Sequence, residues 1–282
     1  MKSFVRSGSA ELCVEDTGGS AAPVVCLHAG VTDRRLWGPQ VEALRATQRV
    51  VTYDRRGFGE TRLPPQHAAR EAYSHVADLL AVLDTLLIDR AVLMGCSQGG
   101  RIAIDMALAH PERVRALVLV ACAVSGAPEV DDPYPPLIQA RVEAYEAAER
   151  CGDQAALNEL DAQFWLDGPE QPSGRVVGAL RELFLAMNAI PLASGSPGDE
   201  IAAPPAWERL EEIPVPTLVV WGTLDFAPLG ARMREIVQRI PQVASVVMDG
   251  VAHLPGLEKP AEFNRALRAF LASLPPEAAA AP

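Results

Sequence analysis

Seven short apolar or alternating runs, at residues 11–15, 24–27, 50–53, 91–94, 116–121, 217–221 and 244–248, are separated by stretches of helical spacing at 37–44, 73–87, 97–109, 229–240 and 261–274. Continuous apolar strands need cover on both faces, and parallel strands need long crossovers between them. The alternation therefore predicts an α/β fold: a mostly parallel central sheet with helices on both faces. It fails between residues 126 and 206, where Pro128, Pro133, Pro135 and Pro136 precede helical runs at 137–150, 155–166 and 175–189. A second loop, 191–205, is rich in Pro, Gly and Ser. That stretch is too long for an ordinary connection. We expect a core formed by residues 1–125 and 207–282, with 126–206 as a helical cap over the carboxyl ends of the strands, where open α/β sheets bind ligands. The tail, 275–282, reads as frayed.

The run 91–94 leads directly into Gly95-Cys96-Ser97-Gln98-Gly99-Gly100 and then into the helical pattern beginning Arg101-Ile102. A serine on a tight strand-to-helix bend is exposed to solvent, and the bend leaves almost no room for side chains two residues before and after it. Gly95 and Gly99 meet that demand. The first amides of the new helix favour negative charge nearby. The competing reading is a glycine-rich turn in which Ser97 merely caps the helix.

The net charge is −11 and no basic stripe occurs, which disfavours nucleic acid and anionic membrane surfaces as partners. The five cysteines form no C-x-x-C pair, so neither a disulfide framework nor a zinc site is indicated. The N-terminus lacks an apolar signal core, and the longest apolar stretch, 116–124, is too short to span a bilayer. A reducing cytoplasm is the expected location.

A serine hydroxyl needs a base to become a nucleophile, and a histidine base needs a carboxylate to fix its tautomer. His110 reads as a helix-end cap, His67 and His75 as surface residues, and His28 as part of a loop after an apolar strand. His253 follows the last strand, so its loop faces the same rim as Ser97. Asp225 follows the strand at 217–221 and lies between the two in chain order. Asp249, Asp131 and Asp132 compete with it for the acid's place.

Together these residues resemble the α/β-hydrolase family, in its serine esterase and lactonase branch. Beyond G-x-S-x-G, the likeness rests on Leu27-His28-Ala29-Gly30 with Trp37 beyond it, on Asp54-Arg55-Arg56-Gly57-Phe58-Gly59, and on His253-Leu254-Pro255-Gly256-Leu257-Glu258-Lys259-Pro260. The resemblance covers about residues 20–125 and 207–273. It implies Ser97 as nucleophile, His253 as general base and acid, and Asp225 as orienting acid. It implies an oxyanion hole built from the backbone amides of Gln98 and Gly30. The family's usual His-Gly is His28-Ala29 here, so Val31 stands as an alternative to Gly30. Arg56, Gly57 and Gly59 read as turn scaffold.

Rival chemistries fail on residues. The third glycine of a dinucleotide fingerprint would fall at Arg62, and neither a P-loop nor H-E-x-x-H occurs. Serine at the bend disfavours the aspartate-nucleophile relatives, haloalkane dehalogenases and epoxide hydrolases. The expected activity is hydrolysis of a small-molecule carboxylic ester or lactone, with no metal and no organic cofactor. Carbon–carbon bond hydrolases, cofactor-free perhydrolases and a non-catalytic ligand receptor on the same fold are the alternatives. Within the cap, Tyr134, Phe164 and Trp165 are the candidate substrate contacts, and Tyr145, Phe184 and Met187 either line the pocket or pack the cap helices. The oligomeric state has no signature in the sequence.

Overall fold

The computed structural model describes residues 1–64, 71–129 and 133–275. His67, Asp131, Asp132 and the tail from residue 276 onward lie outside the described residues. Among the described residues eight strands form one sheet: β1 (Lys2–Ser7), β2 (Ala10–Asp16), β3 (Pro23–Leu27), β4 (Arg49–Tyr53), β5 (Ala91–Cys96), β6 (Val114–Val120), β7 (Thr217–Gly222) and β8 (Val243–Met248). Their spatial order is β1-β2-β4-β3-β5-β6-β7-β8. All neighbours from β4 to β8 are parallel, while β1 and β2 join as an antiparallel ribbon. Strand β1 is not apparent from the sequence pattern. It is an edge strand whose one fully buried side chain is Val5, and it turns into β2 through Gly8, whose φ of +52° suits a residue without Cβ.

The helices are α1 (Gly38–Leu44), α2 (His75–Thr85), α3 (Gln98–Ala109), α4 (Pro136–Cys151), α5 (Gln154–Ala162), α6 (Ala179–Ala193), α7 (Ala227–Arg239), α8 (Pro255–Glu258) and α9 (Pro260–Ser273). Strand residues sort by parity, as a period of two requires. Val25, Leu27, Leu93, Leu117, Leu119 and Val219 pack against α2, α3 and α7. Val24, Cys26, Val92, Met94, Val118 and Val220 face the layer holding Trp37, Phe263 and Leu267. Both faces are dry, which is why the inner strands read as unbroken apolar runs. The chain belongs to the α/β class, with a mostly parallel sheet covered on both sides.

Between β6 and β7 the chain runs through α4, α5 and α6. Helix α5 continues into a π-helical turn, Gln163–Asp167, and α6 carries Pro191 in its last turn instead of ending before it. Phe184 and Met187 on α6 are fully buried in the core layer with Leu166, so they serve packing. His75 corrects the reading as a surface residue: it starts α2 and is only 5% exposed. His28 is fully buried. No described helix is long and apolar enough to cross a membrane.

Candidate active site

Strand β3 pairs with β4 on one side and β5 on the other; the crossover leaving β3 runs to β4 and the one leaving β5 runs to β6, in opposite directions. In open α/β sheets that reversal opens a crevice at the carboxyl strand ends. The loop after β3 brings Gly30 and Val31 there, and the turn after β5 brings Ser97. The loops after β7 and β8 bring Asp225 and His253 to the same cavity, whose volume is about 1140 Å³.

Ser97 has φ +53° and ψ −117°, a conformation outside the ordinary basins of an L-residue. Such backbone costs on the order of 1–3 kcal/mol and persists only where surroundings enforce it. Here the Ser97 amide donates to the Val120 carbonyl at 2.9 Å, and its carbonyl accepts from Gly100, Arg101 and Ala123. A Cβ on Gly95 would collide with the Gly99 carbonyl, and one on Gly99 would collide with the carbonyls of Leu27 and His28. Sheet and helix thus meet at a distance only glycine permits. Ser97 stands at the cap position of α3 but its side chain makes no capping hydrogen bond.

His253 Nδ1 lies 2.7 Å from Asp225 Oδ2, with both side chains almost fully buried. A carboxylate only accepts, so Nδ1 carries the proton and Nε2 is left to accept one. The Phe226 amide holds the other Asp225 oxygen at 2.8 Å. Asp249 instead meets the Thr223 hydroxyl at 3.1 Å in the turn after β8. Glu258 fixes the histidine loop: its buried carboxylate accepts from the amides of Ala252 and Leu254, on either side of His253, and pairs with Arg175. Burial raises the Glu258 carboxyl above its ordinary range, against the opposing pull of Arg175. Arg175 also donates to the Leu166 carbonyl at 2.6 Å, tying the π-helical turn to that loop.

Trp165 sits on this turn with its ring centroid 4.7 Å from that of His253. Phe164 and Trp165 both pack on Phe226, and Tyr134 and Tyr145 line the same cavity. The turn's extra residue per hydrogen-bonded ring re-aims side chains, a feature frequent at functional sites. The contact between Trp165 and His253, the loop clamp of Glu258 and the acidic wall residue Asp161 escape sequence reading, because each depends on segments distant in the chain. Asp161 is 5% exposed and accepts from Asn188 Nδ2 at 2.8 Å; burial raises its carboxyl above the ordinary range.

Asp54 accepts from the amides of Arg34 and Glu60 at 2.8 Å, and Arg56 pairs with buried Asp78 at 2.9 Å, so both act as turn scaffold. Among the described residues no group of three or more His, Cys, Asp or Glu side chains is arranged to hold a metal ion.

Sheet order, strand-end loops and the strained serine turn define an α/β-hydrolase. Residues 24–266 match the alpha/beta hydrolase family, and the chain belongs to it. It is 29% identical over 279 residues to a 2-hydroxy-6-oxononadienedioate/2-hydroxy-6-oxononatrienedioate hydrolase of Cupriavidus pinatubonensis, covering 95% of this chain and 93% of that one. Its structure is similar to that of a thermophilic esterase from Thermogutta terrifontis, with TM-score 0.75 and 26% identity over 97% of this chain and 98% of that one. The enol-lactonase of Burkholderia xenovorans superposes with TM-score 0.73 and 28% identity, over 97% of this chain and all of that one.

Proposed function

We propose that this hydrolase cleaves a carboxylic ester or lactone through an acyl-enzyme on Ser97. His253 Nε2 takes the Ser97 proton as the oxygen adds to the substrate carbonyl. The amides of Gly30 and Gln98 receive the oxyanion. The tetrahedral adduct collapses, His253 protonates the departing alkoxide, and water releases the acid by the same two steps. Asp225 holds the imidazole in the tautomer that makes this possible. The observation that carries the reading is the buried His253–Asp225 contact beside a serine whose backbone is strained and whose side chain caps nothing. The segment 126–206 acts as the cap of this pocket, with Tyr134, Phe164 and Trp165 as substrate contacts.

A second reading, carbon–carbon bond hydrolysis, is favoured by the likeness to the hydrolase of C. pinatubonensis. That enzyme is named for a dioate, a chain with a carboxylate at each end. The ionisable lining of this cavity beyond Asp225 and His253 includes Glu129, Asp161, Glu170 and Arg232 among the described residues. Three carboxyls against one guanidinium is a poor receptor for a dianion: buried Asp161 repels it most strongly, and the exposed Glu129 and Glu170 add a solvent-screened repulsion of the same sign. The ester and lactone reading is therefore preferred, with neutral substrates.

A fluorophosphonate probe and a substrate panel test this. Wild-type protein should be labelled at Ser97, and Ser97→Ala should lose both label and turnover, by about a million-fold where triads have been dissected. The panel pairs neutral aryl esters, butyrolactones, an aryl ester ending in a carboxylate, and a diketone dicarboxylate. Turnover of the neutral esters or lactones is expected. Efficient cleavage of the diketone alone would establish the second reading, and no labelling at all would point to a binding protein on this fold.

A further inference from the structure

Arg55 is a large charged side chain that is only 1% exposed, and among the described residues it forms no ion pair. Burial lowers its pKa to about 10, so it stays protonated at neutral pH. Taking a charge out of water without a counter-ion is costly and persists only where hydrogen bonds compensate. Those bonds converge on the two segments that border Ser97. The guanidinium donates to the Gln98 side-chain carbonyl at 2.7 Å and to the Ala29 backbone carbonyl at 3.0 Å. Its plane lies over the Phe58 ring, 4.6 Å from the centroid. The Arg55 amide donates to His28 Nε2 at 3.0 Å, which forces the proton onto His28 Nδ1, and that nitrogen donates to the same Ala29 carbonyl at 2.8 Å.

A trans peptide is planar, so fixing the Ala29 carbonyl fixes the Gly30 N–H in the opposite direction. Gly30 lines the cavity beside Ser97. Its amide, like that of Gln98, donates to no protein acceptor among the described residues. The Gln98 carbonyl that Arg55 holds also lies 3.4 Å from where a Gly30 Cβ would stand, so one guanidinium braces the two segments against each other. We propose that Arg55 is a positioning residue for the oxyanion hole, clamping the Ala29 peptide and the Gln98 side chain so that the Gly30 and Gln98 amides converge on the developing oxyanion. This rests on the serine-hydrolase reading. It also selects Gly30 over Val31 as the second donor.

The test compares wild type, Arg55→Gln, Arg55→Lys and Gln98→Ala for aryl ester kinetics, affinity for an aryl trifluoromethyl ketone, and thermal melting. The ketone becomes an oxyanion only when the serine adds to it. Loss of one oxyanion donor costs roughly 10²–10³ in kcat. Arg55→Gln should approach that loss with KM within about threefold, and ketone affinity should fall in parallel with kcat. Lysine restores charge but not the fork, so Arg55→Lys should recover only part. Gln98→Ala, which cuts one arm of the clamp and leaves the other in place, should show a smaller loss of the same kind, and it decides the question if Arg55→Gln does not fold. A purely structural role predicts lower melting with kcat and ketone affinity per active site unchanged, and that result overturns the proposal. If the wild type itself neither turns over ester nor binds the ketone, the serine-hydrolase reading falls first and takes the proposal with it.

Discussion

Asp225 offers two oxygens and each is separately engaged. One accepts from the Phe226 amide and the other holds His253 Nδ1. In Asp225→Asn the amide group can present a donor to Nδ1, which drives the imidazole proton to Nε2, the nitrogen that the proposed mechanism needs free to accept the Ser97 proton. Turnover should fall about 10⁴-fold while the fold stays intact, as read by steady-state kinetics beside circular dichroism. A mild effect would move the orienting acid elsewhere. At this scale the chain order of Ser97, Asp225 and His253 is readable, because each follows an apolar strand and parallel strands end on one rim. Both Asp225 and Asp249 are turn aspartates after strands, and in the sequence it is the family resemblance that favours Asp225. The Thr223 hydroxyl that engages Asp249 distinguishes them. Arg55 is not readable either. An arginine in a glycine-rich turn looks like surface, and only the packing of β3, β4 and α3 encloses it.

The histidine loop depends on an element-level joint. Glu258, at the end of α8, accepts from amides on both sides of His253 and pairs with Arg175, which in turn reaches the π-helical turn. Removing one partner of a buried ion pair leaves the other unpaired. Glu258→Ala should therefore destabilise the protein by about 3 kcal/mol, and Glu258→Gln by less, since its amide oxygen still accepts from Ala252. Urea denaturation measures both; an alanine variant within about 0.5 kcal/mol of wild type would show that the joint is not needed. Helix periodicity locates α4 and α6 within a few residues, because their apolar faces repeat regularly. It runs α5 on to residue 166 without signalling the π-helical turn, whose geometry comes from tertiary anchoring of Leu166 and Asp167 by Arg175. Strand β1 is hidden for the opposite reason: as an exposed edge it needs few apolar residues.

For the whole molecule, the parallel sheet is legible because burial on both faces writes unbroken apolar runs, whereas the cavity's charge is not, since its walls come from segments far apart in the chain. The same burial sets a pH dependence. His28 and His75 are both held well below the ordinary imidazole range, chiefly by loss of water and next by the nearby Arg55 charge. His75 also leaves Nδ1 without a partner. Unfolded chains protonate histidine near pH ~6.5, whereas these two stay neutral when folded. Below that pH the unfolded state binds more protons, so stability is complete above it and falls as the solution is acidified. The slope approaches about 1.4 kcal/mol per pH unit for each histidine. Buried carboxyls with raised values, Asp54, Asp105, Asp161 and Glu258, act in the opposite sense at lower pH. The comparison that isolates the imidazoles is wild type against His75→Gln, each unfolded in urea at pH 7 and at pH 5. Glutamine cannot take the proton, so the variant should lose about 1–2 kcal/mol less than wild type over that interval. Equal losses would mean that His75 is already protonated, or solvated, in the folded protein.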